Sequence, residues 1–316
     1  MSDIAYIFPG QGAQFVGMGK ELAENFASAR AVFQEVDDAL SENFSKLIWE
    51  GSEDDLRLTA NTQPALMAVS LAAIRALETE FGVALTDAKY VAGHSLGEYS
   101  ALAAAGSLSV GDAAKLLRFR GESMQKAVAP GEGAMAALLG ATIEQAEEVC
   151  KAVAAEGVCE VANDNAPGQV VVSGAKPAVE KATEWARENG IKKAVLLQVS
   201  APFHCSLMQP AADAMREALA KIDLKVPSVP VFANVTAAPV SDPETIRNLL
   251  VEQVTATVRW RESVEKMAGE GIETLIECGA GKVLSVMNRR TVKGLTGMTL
   301  GTPDELKAVA EALKGN

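Results

Sequence analysis

The segment KYVAGHSLGEYSALAAAG, residues 89–106, decides the fold. Lys89 to Ala92 fit a short strand, and Glu98 to Ala105 are helix formers. Between them lies Gly-x-Ser-x-Gly, residues 93–97, with a serine at its centre. A strand, a sharp glycine-flanked turn and a helix make up a nucleophile elbow, which exposes a serine hydroxyl at the end of a sheet. The segment therefore predicts an α/β fold with Ser95 as its candidate nucleophile.

The five-residue pattern is short enough to arise by chance. Ser95 would then be the N-cap of a helix that follows a glycine turn. The strand before the pattern and the helix after it favour the elbow. In addition, the N-terminus of that helix would stabilise a negative charge that develops beside Ser95.

The segments on both sides of the elbow continue the alternation of strands and helices. Strands are predicted at 4–8, 229–233, 274–278 and 297–300, and helices at 62–80, 111–127, 243–253, 282–290 and 303–314. The middle of the chain has a different order, with strands at 133–139, 159–162, 170–173 and 194–199 and helices at 142–155 and 176–189. Residues 163–168, Asn-Asp-Asn-Ala-Pro-Gly, are predicted to form the turn between its second and third strands. The middle is therefore β-α-β-β-α-β, the ferredoxin-like unit, inserted into a larger α/β domain.

Composition excludes several classes of function. The 316 residues carry 29 Lys+Arg against 41 Asp+Glu, a formal net charge of −12, and only 5% aromatic residues. A nucleic-acid-binding surface needs a basic patch and stacking aromatics, so none is expected. No apolar run approaches the roughly 18 residues of a membrane span. The loop after the first strand, GQGAQFVGMG, fails the dinucleotide pattern because Phe15 stands at its third glycine position.

Histidine and cysteine usage narrows the chemistry further. The chain has two histidines and four cysteines, and the cysteines show no C-x-x-C spacing. No metal site is expected from such a set. Free thiols without a basic, apolar leader segment predict a cytoplasmic protein.

Only His94 and His204 are available as a base for Ser95. His94 is adjacent to the serine, so its side chain is expected to point elsewhere and to support the turn. His204 lies in a loop after the last strand of the inserted unit, where catalytic residues are common. No acid between Ser95 and His204 stands in an obvious third-member position; Asp164, for example, falls in the predicted turn. We therefore expect a Ser–His pair whose imidazole is oriented by a backbone carbonyl.

At this point the chain resembles the malonyl-CoA:acyl carrier protein transacylase family. The matching motifs run nearly end to end: FPGQGAQ at 8–14, GHSLGE at 93–98, Arg120-Gly121 with Met124, NDNAPGQVVVSG at 163–174, Phe203-His204, Gln253 with Trp260, and ECG at 277–279. The resemblance implies a hydrolase-like parallel-sheet domain, residues 1–127 plus 199–316, with a ferredoxin-like subdomain at 128–198. That architecture agrees with the predicted order of elements.

The resemblance also implies a ping-pong acyl transfer from a coenzyme A thioester to the phosphopantetheine thiol of acyl carrier protein. Ser95 would carry the malonyl group, and His204 would act as base and then as acid. The backbone N–H groups of Gln11 and Leu96 would bind the oxyanion. Gln253 would supply the carbonyl that orients His204. No cofactor is implied, and a monomer is expected.

Arg120 has a physical reason to bind substrate. Malonyl differs from acetyl by a free carboxylate, which a guanidinium binds through two parallel hydrogen bonds. The alternative is a surface arginine, and Arg118 on the same predicted helix serves as the comparison. The remaining substrate-binding candidates are Gln11, Met124 and Phe203 at the acyl pocket, and Asn163 and Asn165 where the insert faces the site, unless these two asparagines serve only the turn.

Carrier proteins of this pathway are typically acidic, and so is this chain. A local basic cluster, Lys282, Arg289, Arg290 and Lys293, is therefore a candidate dock for the carrier or for coenzyme A phosphates. A solvated helix end is the alternative.

Competing functions remain open at this point. A serine hydrolase or thioesterase on the same elbow would need a triad acid and would have no use for Arg120. The other candidate functions are an acyltransferase for another extender unit, a malonate decarboxylase subunit and a non-catalytic carrier-binding module.

Overall fold

The computed structural model describes residues 3–315, so positions 1–2 and 316 of the expected main domain lie outside the described residues. Its strands form two sheets, which helices cover. In chain order the strands are β1 (Ile4–Phe8), β2 (Tyr90–Gly93), β3 (Gly133–Leu139), β4 (Cys159–Ala166), β5 (Gln169–Ala175), β6 (Lys193–Leu196), β7 (Val231–Ala233), β8 (Ala238–Val240), β9 (Thr274–Cys278) and β10 (Thr296–Leu300). The α-helices are α1 (Lys20–Asn25), α2 (Ala27–Leu40), α3 (Phe44–Glu50), α4 (Glu53–Arg57), α5 (Thr59–Phe81), α6 (Gly97–Ala104), α7 (Val110–Ala127), α8 (Ile143–Ala152), α9 (Lys176–Glu188), α10 (Gln209–Leu219), α11 (Pro243–Glu252), α12 (Trp260–Gly269), α13 (Val283–Asn288) and α14 (Pro303–Lys314).

The larger sheet has the strand order β10-β9-β1-β2-β7-β8 and is parallel except for the final β7–β8 pair. All five residues of β1 are buried, as expected for a central parallel strand with both faces covered. Side chains alternate between the faces of a strand. Tyr6 and Phe8 accordingly join the apolar cluster on one face, and Ala5 and Ile7 join the cluster on the other. The predicted α/β class is confirmed.

The elbow lies where β2 meets α6, beside the carboxyl end of β1. A Cβ atom on Gly93 would lie 1.9 Å from the carbonyl carbon of Gly97. A Cβ atom on Gly97 would lie 2.2 Å from the carbonyl oxygen of Phe8. Both contacts are too short for any side chain, so the motif needs glycine on each side of Ser95 to bring β1, β2 and α6 together.

Helices α1–α4 precede the long helix α5, and the sequence reasoning did not predict them. They are short or, in α2, amphipathic, and they pack onto α5 and α7, which carry the larger apolar core. Helix α5 begins at Thr59, so Pro64 lies in its second turn and not in the predicted first turn. None of the helices within residues 3–315 has the length and apolar character needed to cross a bilayer.

The smaller sheet is antiparallel and has the order β4-β5-β3-β6. Helices α8 and α9 cover it and enclose a separate apolar cluster that includes Leu138, Val149, Val172 and Val179. Strand β6 ends at Leu196, earlier than the predicted 199. The N–H of Leu197 still donates to the oxygen of Met135 in β3, but the N–H of Val199 donates back to the oxygen of Leu197.

The predicted turn at 163–168 is wrong over most of its length. Strand β4 continues through Ala166, with irregular register on either side of Asn163, and the turn is confined to Pro167 and Gly168. The polar residues instead join the smaller sheet to helix α12 and to the segment that precedes it. Asn163 forms a parallel bridge to Val258, and the carboxylate of Asp164 accepts three hydrogen bonds of 2.8–3.1 Å from Arg261.

Candidate active site

Ser95 and His204 are in hydrogen-bond contact. The Oγ atom of Ser95 lies 2.7 Å from Nε2 of His204, and Nδ1 of His204 lies 2.9 Å from the backbone oxygen of Gln253. A carbonyl only accepts, so Nδ1 carries the proton and Nε2 faces the serine as an acceptor. Both Ser95 and His204 have left-handed backbone, with φ of 53° and 58°. The geometry is that of a serine hydroxyl held against a base.

The electrostatic surroundings keep His204 neutral. Burial, followed by the nearby positive charge of Arg120, lowers the pKa of His204 to about 3. Its side chain is buried, and the Gln253 carbonyl opposes this shift only in part. At neutral pH the imidazole is therefore unprotonated and able to accept the proton of Ser95.

Arg120 is buried beside this pair with only neutral partners. It is 1% exposed, and its Nη atoms donate to Oε1 of Gln63 and Oε1 of Gln253, each at 2.8 Å, and to Oγ of Ser95 at 3.3 Å. Within residues 3–315 no carboxylate forms an ion pair with it, and its Nε has no acceptor. A buried charge is normally paired, so this guanidinium is prepared for an anion.

Arg118, on the same helix, is different. Its guanidinium donates to Asn61 and to Glu42, and it lies over the ring of Phe44. Its side chain is partly exposed and is already paired with a carboxylate. The structure thus separates a surface arginine, Arg118, from one that faces the serine.

The two backbone N–H groups that are expected to bind the oxyanion are free of intramolecular acceptors within residues 3–315. The backbone N–H groups of Gln11 and Leu96 donate to no acceptor in the described part of the chain. Leu96 is the N-cap of α6, where unpaired N–H groups and the helix dipole favour an anion. The side chain of Gln11 is held separately, because its Oε1 accepts a hydrogen bond of 3.0 Å from Thr59.

A cavity of about 280 Å³ opens over the pair. Its wall is formed by strands of the smaller sheet and by loops and helices next to the larger sheet. The predicted substrate-binding residues Gln11, Met124, Asn163, Asn165 and Phe203 all line it, as do Ser95, Arg120 and His204. Sequence reasoning missed the rest of the wall, which is apolar apart from Gln63 and Gln169 and includes Met135, Val171, Leu197, Val199, Val283 and Met287.

His94 has a partner of its own. Its Nε2 lies 2.8 Å from Oδ1 of Asn165, and its ring packs near Trp260. Burial lowers the pKa of His94. It therefore does not contact the Ser95 hydroxyl, and Asn165 connects the smaller sheet to the elbow.

Two polar residues that support the elbow were not predicted. Asn234 follows β7, and its Oδ1 accepts the N–H of Ser95 at 2.8 Å while its Nδ2 donates to the oxygen of Gly93 at 2.6 Å. Glu98, in the first turn of α6, accepts hydrogen bonds from Asn234 N–H and from Nε2 of Gln253. The only sequence signal that could have indicated the role of Asn234 was its position after a predicted strand, because its partners are distant along the chain.

Helix α13, which also forms part of the cavity wall, is flanked by exposed basic residues: Lys282 is its N-cap, and Arg289, Arg290 and Lys293 follow it. Among the described residues no group of three or more His, Cys, Asp or Glu side chains is arranged to hold a metal ion.

Comparison with known proteins places these features in a family. The pattern of the acyl transferase domain family matches residues 5–306. The chain is 45% identical over 315 residues to the malonyl CoA-acyl carrier protein transacylase of Bacillus subtilis, covering 99% of this chain and 98% of that protein. It is 42% identical to the enzyme of the same name from Escherichia coli, covering 98% of this chain and 100% of that protein.

Solved structures give the same result. An acyl-carrier-protein-S-malonyltransferase from Bartonella henselae superposes with a TM-score of 0.97 at 55% identity, covering 99% of this chain and 100% of that one. A malonyl-transacylase solved in complex with its type II PKS acyl-carrier protein superposes with a TM-score of 0.94 at 40% identity over the whole of both chains. This chain therefore belongs to the acyl transferase domain family, the family of the malonyl CoA-acyl carrier protein transacylases that it resembles.

Proposed function

We propose that the protein transfers the malonyl group of malonyl-CoA to the phosphopantetheine thiol of acyl carrier protein, through a malonyl-Ser95 intermediate, for fatty-acid synthesis. The observation that carries the proposal is Arg120, a buried guanidinium without a carboxylate partner in residues 3–315, 3.3 Å from the hydroxyl of Ser95. A substrate that brings its own carboxylate to a serine nucleophile satisfies both groups. The names of the relatives and the carrier-protein complex support the same substrates.

In the first half-reaction, Nε2 of His204 takes the Ser95 proton as Oγ attacks the thioester carbon. The N–H groups of Gln11 and Leu96 stabilise the oxyanion, a contribution of about 10²–10³ in rate for one donor. The C–S bond then breaks, and His204 returns the proton to the coenzyme A sulfur. In the second half-reaction the carrier thiol gives its proton to His204 and attacks the carbonyl carbon of malonyl-Ser95. The bond from that carbon to Oγ then breaks, and His204 returns the proton to Oγ, which restores the free serine.

Substrate selection is assigned to the cavity wall. The fork of Arg120 binds the malonyl carboxylate, while Gln11, Met124 and Phe203 confine the acyl group. Asn163 and Asn165 face the same space from the smaller sheet, as wall residues for the acyl–pantetheine portion. His204 is oriented by Gln253 through the 2.9 Å contact from Nδ1 to the carbonyl.

We also propose that the chain is divided into a catalytic domain and an inserted subdomain. The smaller unit has β-α-β-β-α-β chain order and sheet order second-third-first-fourth, which supports a ferredoxin-like subdomain over 128–198. Residues 1–127 and 199–316 would then be one hydrolase-like catalytic domain. We further propose that the protein is a monomer and works without a cofactor. We also propose that it lies in the reducing cytoplasm, a location that the four free cysteines support.

The carrier protein is expected to dock on the exposed basic cluster Lys282, Arg289, Arg290 and Lys293. The net charge of −12 would repel an acidic partner over a long range, so a local positive surface at the cavity mouth is required.

Radiolabelled malonyl-CoA distinguishes this function from hydrolysis on the same elbow. We expect label on Ser95 that moves to holo carrier protein, and no label on the Ser95→Ala variant. Label that is lost only to water would indicate a hydrolase, and absence of label on the unsubstituted protein would exclude both. Parallel incubation with methylmalonyl-CoA tests another extender unit.

A further inference from the structure

Glu98 is a buried carboxyl group that the proposed reaction leaves unused. It is 2% exposed, and its Oε2 accepts the N–H of Asn234 at 3.0 Å and Nε2 of Gln253 at 2.8 Å. No Lys, Arg or His in residues 3–315 forms an ion pair with it. The other end of the Gln253 amide accepts from Arg120. A single amide group therefore separates the buried carboxyl group from the buried guanidinium.

The orientation of that amide depends on Glu98. A glutamine side chain has two nearly equivalent orientations, and its hydrogen-bond partners select one of them. Nε2 of Gln253 donates to Oε2 of Glu98 and to the backbone oxygen of Ser95, at 2.8 and 3.0 Å. Both partners are acceptors, so Oε1 must face Arg120. Glu98 thereby determines which atom of Gln253 the guanidinium contacts.

We propose that Glu98 is a positioning residue that holds Arg120 through Gln253 and acts as its resident counter-charge, taking up a proton from solvent when a substrate carboxylate occupies Arg120. This inference rests on the proposed function, in which that carboxylate is the malonyl group. The bound proton converts the carboxylate of Glu98 to the neutral acid and returns to solvent when the acyl group leaves.

The physical reason is that two carboxylates near one guanidinium in a buried site disfavour each other's ionised form. Burial already raises the pKa of Glu98 to about 7, against hydrogen bonds from Asn234 and Gln253 and the charge of Arg120, which lower it. A second negative charge raises this pKa further, so at pH 8 the carboxylate of Glu98 protonates on binding. The neutral acid still has an oxygen that accepts from Gln253.

The other ionisable groups near Glu98 do not titrate in this range. Helix α6 packs against α5, α7, β1, β2 and β7, and the charge that acts on Glu98 from them is that of Arg120 on α7. Tyr99 on α6 itself has a pKa raised to about 12 by burial. His204, on the far side of Gln253, stays neutral because its pKa is lowered to about 3.

Calorimetry tests the inference in the Ser95→Ala background, where binding proceeds without acylation. Titration with malonyl-CoA at pH 8, in buffers of different ionisation enthalpy, measures the protons taken up per ligand bound. We expect about 0.5–1 proton for malonyl-CoA and none for acetyl-CoA. Adding Glu98→Gln, which keeps an acceptor oxygen in place, is expected to abolish the uptake with malonyl-CoA.

Steady-state kinetics of proteins that retain Ser95 provide a second measurement, the dependence of KM on pH. We expect the KM for malonyl-CoA to rise about tenfold from pH 7 to 8.5 in the unsubstituted enzyme, and to be flat in Glu98→Gln. The KM for acetyl-CoA is expected to be flat in both. A purely structural role would instead lower kcat equally for both acyl groups at every pH, and that result would overturn the inference.

The possible failures are distinguishable. Proton uptake that persists in Glu98→Gln would overturn the role of Glu98 and leave the proposed function intact. Equal affinity for malonyl-CoA and acetyl-CoA, with Glu98 and Arg120 both present, would overturn the proposed function and this inference with it. Melting temperatures of both variants verify that the fold is retained.

Discussion

Replacing Arg120 with alanine removes the only positive charge that the described structure places beside Ser95. Two N–H groups of the guanidinium donate to Gln63 and Gln253, a third makes the longer contact of 3.3 Å to Oγ of Ser95, and its Nε–H has no acceptor among the described residues. We expect a carboxylate in the cavity to take over the long Ser95 contact and one further N–H group, which makes a two-point contact. An acetyl group has nothing to place there, so malonyl transfer is expected to fall far more than acetyl transfer.

The size of the effect follows from those two contacts. A hydrogen bond to a charged group contributes about 1.5–3 kcal/mol, so two contribute about 3–6 kcal/mol. Each 1.4 kcal/mol is about tenfold, which predicts a fall of about 10²–10⁴ in kcat/KM for malonyl-CoA. Acetyl transfer is expected to fall much less, because it lacks the group that Arg120 binds and loses only the contacts of Arg120 to Ser95 and Gln253. Arg120→Lys restores the charge without the fork and is expected to recover only part of the malonyl rate.

The assay is the first half-reaction, followed as coenzyme A release with malonyl-CoA and acetyl-CoA in parallel. Arg118→Ala is the matched control, because Arg118 lies on the same helix and already pairs with Glu42. We expect that control to keep the malonyl-to-acetyl ratio of the unsubstituted enzyme. A ratio that is also unchanged in Arg120→Ala would refute the assignment of the carboxylate site.

Four further predictions concern the base, its pH dependence, the elbow and the carrier dock. His204→Ala is expected to slow transfer of both acyl groups by about 10²–10⁴, measured as acyl-enzyme formation, since the second imidazole is held elsewhere. In the unsubstituted enzyme, kcat/KM for acetyl-CoA should be flat from pH 5 to 8, because burial lowers the pKa of His204 to about 3 and the base is neutral throughout; an inflection near 6.5 would contradict this. Gly97→Ala is expected to lower the melting temperature sharply, because its Cβ atom would lie 2.2 Å from the oxygen of Phe8; an unchanged melting curve would argue against the packing described. Reversing the charges of Arg289 and Arg290 to glutamate should raise the KM for carrier protein and weaken its salt dependence, and an unaltered KM would exclude this dock.

The elements that could be predicted from sequence are those whose signal lies in residues that are neighbours along the chain. Glycine spacing and an apolar strand identified the elbow, and hydrophobic periodicity found β1 and β9 with the observed bounds. Scarcity identified His204, since only two imidazoles exist in the chain. Arg120 was preferred to Arg118 because of the family resemblance and the adjacent Gly121, and the chemistry of a carboxylate ligand gave it a role.

Features that depend on distant contacts could not be predicted in this way. Asn234 lies 139 positions from Ser95, and no local pattern marks it as a support for the elbow. The polar run at 163–166 has turn-forming residues, yet Asp164 is held in strand β4 by Arg261, 97 positions away. Tertiary hydrogen bonds there outweigh local turn propensity. Helices α1, α3 and α4 are too short for periodicity to identify and depend on packing.

At Ser95 and His204 the left-handed backbone lowers the stability of the fold, while the side chains at these two positions are needed for function. Each such non-glycine residue costs about 1–3 kcal/mol of folding free energy, which the rest of the fold must offset. Glycine at either position would relieve that strain and remove the reacting atom at the same time. A screen that selects only for heat resistance would therefore favour inactive sequences here, and selection for activity is what retains a serine and a histidine.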